Sequence, residues 1–268
     1  MKIKMPDRNL DYEQISKDMT DWLKNKADNA WMNWLVIWVS GWVDSAVVST
    51  IATMTWKATT ILELPIHQRR NEVSRAEEHI NWLQEKYSNI TKEIIDLTKI
   101  YDEMVDLQPK WVSDDSEYLA DVNLRSRLRA TQIYSVANRN NALVVWTWNK
   151  VEDYWIGFFT KYWDWAVDIS PIWELYKSEV YKLAKYLGIN EDILNARPTD
   201  WLHANWATDE DQIGASYDEL EWAMVEYDNW KKTSNFKWRK KEVMDIYSKR
   251  HEQNYHKMEM PQVFWNID

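Results

Sequence analysis

The chain has no cysteine, which excludes disulfides, thiolate metal centres and cysteine nucleophiles together, suits a reducing compartment and leads us to expect a cytoplasmic protein. Long hydrophobic runs are also missing: none approaches the roughly 18 residues that a spanning helix needs. The opening Met1-Lys2-Ile3-Lys4-Met5-Pro6-Asp7 lacks the apolar centre of a secretion signal. Positive charge is in deficit, with 33 Lys and Arg against 43 Asp and Glu, so the basic footprint that nucleic acid or an anionic membrane requires is not there. Neither partner is expected. Proline stands at only 6 and forms no linker, and the 268 residues read as a single domain. The largest shortage is glycine: there are 4, where average usage of about 7 % would give roughly 19. The matching excess is tryptophan, at 20.

What is present suffices for a full core, since 45 % of the residues are hydrophobic and 14 % aromatic. Short apolar runs alternate with longer amphipathic ones, the pattern of an α/β fold with a mostly parallel sheet. The spacing predicts helices over 12–26, 75–87, 121–138 and 176–187, the last closed by Gly188, and a basic helix over 237–257. Strands are predicted at 35–39, 59–64, 93–97 and 142–145, and an irregular loop over 197–214. A helix is expected to begin at Ala46, after a turn spanning 40–45.

That turn, Ser40-Gly41-Trp42-Val43-Asp44-Ser45, leads from a buried strand into a helix. Such a turn aims backbone N–H groups and the positive end of a helix dipole at one point beyond the sheet, which favours phosphate. Ser40 and Ser45 can donate to phosphate oxygens, and the hard carboxylate oxygens of Asp44 suit Mg²⁺. A serine cap on an ordinary βα turn has the same appearance. No Gly-Lys-Ser/Thr follows and no Gly-x-Gly-x-x-Gly is present, so neither a Walker loop nor a dehydrogenase-type dinucleotide turn is indicated. His67, His79, His203 and His251 share no metal-ligand spacing and read as structural or surface residues. Arg125, Arg127 and Arg129 alternate along a helix and cannot all face one site.

With Trp42 read as glycine, the turn becomes Ser-Gly-Gly-Val-Asp-Ser and resembles the PP-loop of the N-type ATP pyrophosphatases, which split ATP into AMP and pyrophosphate. Further stretches resemble the ammonia-dependent NAD synthetases: Asn123 to Arg127 (NLRSR), Val144 to Asp153 (VVWTWNKVED), Gly157 to Asp168 (GFFTKYWDWAVD), Lys177, Pro198 to Asp200 (PTD), Thr208 to Leu220 and the late pair His256-Lys257. The resemblance implies a Rossmann-like three-layer α/β fold of the adenine nucleotide alpha hydrolase kind, acting as a homodimer. It also implies a ligase that amidates nicotinic acid adenine dinucleotide (deamido-NAD) with ammonia, through an adenylylated intermediate, to give NAD, AMP and pyrophosphate.

Carried over residue by residue, the resemblance puts ATP against Trp38, Val39, Ser40, Gly41, Trp42, Val43, Asp44, Ser45, Thr147, Lys177 and Thr199. Mg²⁺ would be held by Asp44 and Glu152, and deamido-NAD by Arg127, Lys161, Asp168, His256 and Lys257, partly across the dimer interface. Asp44, Lys177 and Asp168 are the catalytic candidates, Asp168 for the proton of the attacking ammonia. No glutaminase portion is recognised, which points to free ammonia or a separate supplier. The alternatives are another PP-loop enzyme, GMP-synthesising or tRNA-modifying, and an inactive nucleotide-binding module. The lack of cysteine and the net charge of −10 speak against tRNA thiolation, while a literal Trp42 favours the module.

Against the family pattern, Glu63 and Met258 stand where arginine is common. Sixteen of the 20 tryptophans fall where the family or ordinary turn chemistry places glycine: Trp31, Trp34, Trp38, Trp42, Trp56, Trp111, Trp146, Trp148, Trp155, Trp163, Trp165, Trp173, Trp201, Trp206, Trp230 and Trp238. Trp22, Trp82, Trp222 and Trp265 instead sit on apolar faces or next to phenylalanine. A bulky residue in a sparsely allowed backbone region costs about 1–3 kcal/mol, so strain at half of the sixteen sites would rival a net stability of about 5–15 kcal/mol. The expectation is that these sixteen positions adopt glycine-type dihedrals.

Overall fold

In β1 (Trp34–Trp38), Leu35, Val36 and Ile37 are all completely buried, Leu35 and Ile37 in one apolar cluster and Val36 in another. Alternate side chains leave opposite faces of a strand, so a central strand of this kind needs a layer of helices on each side. A computed structural model of the chain describes residues 3, 8–68, 70–109, 114–151, 159–162, 167–196, 210 and 213–258.

β1 is flanked by β2 (Ala58–Glu63) and β4 (Ala142–Val144), with β3 (Ile90–Ile94) beyond β2, and every pairing is parallel in the order β3-β2-β1-β4. A bridge from Val145 to Ile169 prolongs the sheet past β4. On one face, α1 (Tyr12–Asn29), α2 (Val43–Met54), α3 (Arg70–Lys86), α6 (Lys177–Leu187) and the short α7 (Glu191–Leu194) pack over Leu35, Ile37 and Ile61. On the other, α4 (Thr98–Asp106) and α5 (Asp114–Asn140) cover Val36, Leu62 and Leu64. A third cluster joins α8 (Tyr217–Asp228) to α9 (Trp238–Met258) and reaches Val151 and Tyr176. The expected three-layer parallel α/β architecture is present.

Two expectations need correction, and three further helices are present. The helix expected at Ala46 starts at Val43, which puts Asp44 and Ser45 in its first turn rather than in the loop. The strand expected at 93–97 is Ile90–Ile94, because its register is set by pairing with β2 from Thr59↔Ile90 to Glu63↔Ile94. Leu97 belongs to the next connection, where the Asp96 carboxylate accepts from the Thr98 N–H at the head of α4. The helices α4, α7 and α8 lie beyond those expectations: α4 and α7 are short, and in α8 the polar Glu221 is buried among apolar neighbours, which blurs its amphipathic period. The loop expected over 197–214 lies largely outside the described residues.

The glycine-type expectation divides. Trp31, Trp56, Trp230 and Trp238 have φ of 58°, 60°, 60° and 56°, inside the left-handed region. Trp34 and Trp38 lie in β1, and Trp42 is extended at φ −105°, conformations open to any residue. Trp146, Trp148 and Trp173 also have no positive φ. At these six the expectation fails. Trp111, Trp155, Trp163, Trp165, Trp201 and Trp206 lie outside the described residues.

Candidate active site

The turn after β1 is drawn tight by its own serines. Gly41 takes φ 82°, the Ser40 N–H donates to Ser45 Oγ at 3.2 Å, and Ser45 Oγ donates to the Trp42 carbonyl at 2.9 Å. The two hydroxyls stand 3.1 Å apart, and Ser40, Asp44 and Ser45 are all buried. Val39 is buried behind the turn, and its N–H donates to the Leu62 carbonyl. Val43 is also buried at the start of α2. Because α2 begins at Val43, its first N–H groups open onto this corner and need an acceptor from outside the helix.

Asp44 meets two partners from distant parts of the chain. Lys177 Nζ donates to its Oδ2 at 2.6 Å, and Asn149 Nδ2 donates to its Oδ1 at 3.2 Å. Lys177 and Asn149 are almost wholly buried, and the Asn149 side-chain oxygen accepts from the Val151 N–H, so the amide is locked in orientation. Lys177 is the first residue of α6, and neighbouring bonds fix that end. The Tyr176 N–H donates to Glu179, and the Ser178 N–H and Oγ donate to the two oxygens of Glu221 at 2.9 and 2.7 Å. Burial pushes the Glu221 carboxyl above its usual range, against the pull of the Ser178 bonds.

Other cations border the turn. Arg75 Nε donates to the Gly41 carbonyl at 3.4 Å, and its guanidinium lies 4.7 Å from the Trp42 ring centre. Arg129 stacks at 5.0 Å on Trp38 and donates to the Leu64 carbonyl at 3.0 Å. Burial, with the nearby charge of Arg125, pushes Arg129 down to about 10. Glu63 is buried and paired with Lys92 at 2.9 Å. Trp38 stacks on Trp146, and Trp148 on Trp173, flanking half-buried Thr147 with aromatic surface.

The expected substrate residues separate into two groups. Lys161 Nζ donates to the His256 carbonyl and Lys257 Nζ to the Phe159 carbonyl, both at 3.1 Å, so the end of α9 clasps the 159–161 segment. Thr160 hydrogen-bonds Asn123, which ties that segment to the NLRSR stretch of α5 containing Arg127. Asp168 stands apart at the exposed edge of β4, where it accepts from the Val144 N–H at 2.8 Å and the Tyr134 hydroxyl at 3.1 Å. Glu152 and Thr199 lie outside the described residues.

Sequence reasoning left Asn149, Arg75 and Glu221 without roles. Asn149 lies inside a quoted motif, and Glu221 could have been singled out as an acid between apolar Leu220 and Trp222. Arg75 carries no local signal, because only the packing of α3 beside α2 brings it to the turn. Among the described residues, no group of three or more His, Asp or Glu side chains forms a ready metal cage. A single carboxylate facing a phosphate corner still matches the way Mg²⁺ is held, by one or two carboxylates completed by substrate oxygens and water.

Comparison with known proteins places the chain in a family. The NAD synthase family profile matches residues 15–261. An NH₃-dependent NAD⁺ synthetase of Finegoldia magna is 28 % identical over 257 residues, covering 95 % of this chain and 97 % of its own length. That of Methanocaldococcus jannaschii is 32 % identical over 223 residues, covering 82 % and 83 %. Among solved structures, the NMN synthetase of Francisella tularensis superposes with a TM-score of 0.82 at 28 % identity, over 95 % of this chain and 99 % of that one. The NH₃-dependent NAD synthetase of Campylobacter jejuni gives 0.76 at 25 % identity, over 96 % and 100 %. By sequence over nearly its whole length, and by the fold that carries its serine turn, this chain belongs to the NAD synthase family.

Proposed function

We infer that the chain is a carbon–nitrogen ligase that converts deamido-NAD to NAD with ammonia, at the cost of ATP cleavage to AMP and pyrophosphate. The observation that carries the reading is the buried Asp44–Lys177–Asn149 cluster beneath the Ser40–Ser45 turn, in a chain whose family match spans 15–261. A carboxylate is a poor electrophile, so one oxygen of the nicotinate carboxylate first attacks the α-phosphorus of ATP and pyrophosphate departs. Ammonia then adds to the acyl carbon, AMP leaves with the bond-pair electrons, and a proton is lost.

The chain's part is positioning and charge neutralisation. The Ser40 and Ser45 hydroxyls and the first N–H groups of α2 would hold the phosphates, with Gly41, Trp42 and Thr147 beside them. Asp44, together with Glu152, would hold Mg²⁺, whose contribution when bound is to offset the negative charge of the phosphate oxygens. Lys177, released from Asp44 as that carboxylate takes up the cation, would place its ammonium on a phosphate oxygen. Arg75 adds positive charge at the same turn. The clasp of Lys161, His256 and Lys257, with Arg127 on the α5 helix that Thr160 contacts, would bind deamido-NAD. Asp168 would accept the proton of the attacking ammonia, and Thr199 would contact ATP. A homodimer, with the dinucleotide sites completed across its interface, is part of this reading.

The decisive experiment incubates the protein with ATP, Mg²⁺, ammonium and deamido-NAD and follows NAD and AMP together. Stoichiometric appearance of both is expected, and AMP without NAD would reject the reading. The superposition on the Francisella NMN synthetase favours a second reading, in which the amidated acid is nicotinic acid mononucleotide. Replacing deamido-NAD by the mononucleotide in the same assay decides between them by kcat/KM.

A further inference from the structure

Glycine, among the described residues, is confined to one backbone region. Among the described residues Gly41, Gly188 and Gly214 all have positive φ, at 82°, 75° and 85°. Gly188 ends α6 in a Schellman arrangement: its N–H donates to the Lys185 carbonyl, and the Ile189 N–H donates back to the Ala184 carbonyl.

Two tryptophans reproduce that arrangement atom for atom. At the end of α1 the Trp31 N–H donates to Asp28 O at 3.0 Å and the Met32 N–H to Ala27 O at 2.9 Å. At the end of α8 the Trp230 N–H donates to Tyr227 O at 2.8 Å and the Lys231 N–H to Glu226 O at 3.0 Å. Trp56 follows α2 in the same left-handed conformation, its N–H on Thr53 O, and Trp238 takes it at the head of α9. The helix ends therefore demand a left-handed residue, which glycine adopts freely and a residue with a Cβ adopts only under strain.

The indoles return little for that strain. Trp31, Trp230 and Trp238 are 86 %, 92 % and 90 % exposed, and Trp56 is 64 % exposed with only an edge-on contact to Tyr87. Asn9, His67, Asn141 and Tyr162 are the other described residues with positive φ that are not glycine, and asparagine and histidine are the types that tolerate it. Trp82 and Trp222 behave differently. Both lie inside helices, Trp82 stacked on His79 and Trp222 buried against Phe236.

We propose that the cell that makes this protein installs glycine at positions 31, 56, 230 and 238, where the sequence reads tryptophan, and by the same exchange at position 42 in the phosphate turn. Independent mutations do not convert one residue type into one other at scattered helix ends while leaving Trp82 and Trp222 in the core. A single codon decoded as glycine does. The exchange would raise glycine from 4 residues to 9, towards ordinary usage, and replace the Trp42 indole, now under the Arg75 guanidinium, with open backbone facing the phosphates.

The helix-end claim stands on backbone geometry alone, whereas the claim for position 42 rests also on the nucleotide reading above. Peptide mass spectrometry of the protein purified from the cells that carry its gene tests the former directly. Peptides covering 31, 56, 230 and 238 with glycine masses are expected, and tryptophan masses there would overturn the proposal. In the recombinant full chain, Trp31→Gly, Trp56→Gly and Trp230→Gly should each raise Tm by roughly 2–4 °C, while Trp222→Gly should lower it. A loss of Tm from the first three would also overturn it. Trp42→Gly should tighten ATP binding at least tenfold with Tm little changed. If the masses and Tm shifts appear but ATP binding does not respond, the helix-end inference survives and the phosphate role of the turn fails.

Discussion

In the proposed reaction the chemistry turns on Lys177 and Asp44, and their contact has two measurable consequences. Both are withdrawn from water, with side-chain exposures of 4 % and 12 %, so removing the ammonium strands a carboxylate. Lys177→Met is expected to lower kcat about 10²–10³-fold in molecules that circular dichroism shows to be folded. The nucleotide-free protein should also lose about 3–5 kcal/mol in urea unfolding. His79 makes a separate prediction. It is buried against Ser49 at 2.9 Å, and burial pushes it down from 6.5 to about 4. With the folded pKa below the unfolded one, the neutral form's stability is complete above pH 6.5 and is lost as pH falls towards 4. The loss amounts to about 3 kcal/mol. Urea midpoints across that range should fall steeply for the natural chain and much less for His79→Gln.

The elements matter through their ends. α6 delivers Lys177 because its first turn is held by Glu179 and by Glu221 from α8. Glu221→Ala leaves the Ser178 N–H and hydroxyl without that acceptor and should cost about 1–3 kcal/mol, with a further fall in turnover as Lys177 shifts. At the other end, Gly188→Ala meets no atom within 4 Å, so its cost is backbone strain alone, about 1–2 kcal/mol by urea unfolding. Strands β1 and β2 were readable from their apolar runs, but β3 was displaced by the run from Ile94 to Leu97. An edge strand with three of its five residues exposed has its ends set by hydrogen bonds to β2, which no local pattern encodes.

For the molecule as a whole, the site is an assembly of α2, the segment after β4 and the first turn of α6, brought together beyond the carboxyl end of a parallel sheet. A ligand that binds only this assembled state stabilises the entire fold. MgATP at about 100 times its Kd should add about 2.7 kcal/mol, raising Tm by several degrees. EDTA should abolish most of that shift, and an equal shift without the cation would argue against Asp44 as its ligand. No described helix is long and apolar enough to cross a membrane.

The parallel α/β class, the serine turn and the ordered motifs of a ligase were all determined by the sequence alone, because each depends on local periodicity or on a few contiguous residues. So was the suspicion attached to tryptophan, a matter of composition. Tertiary structure alone decided that Asn149 and Lys177 both close on Asp44, across 105 and 133 residues of chain, and that Arg75 borders the turn from a neighbouring helix. It also decided which tryptophans are strained, since φ at a helix end is imposed by the direction in which the chain must leave, and a strand accepts any side chain. Contacts between residues far apart in the chain arise when apolar faces pack, and that packing is a property of the whole fold rather than of any segment.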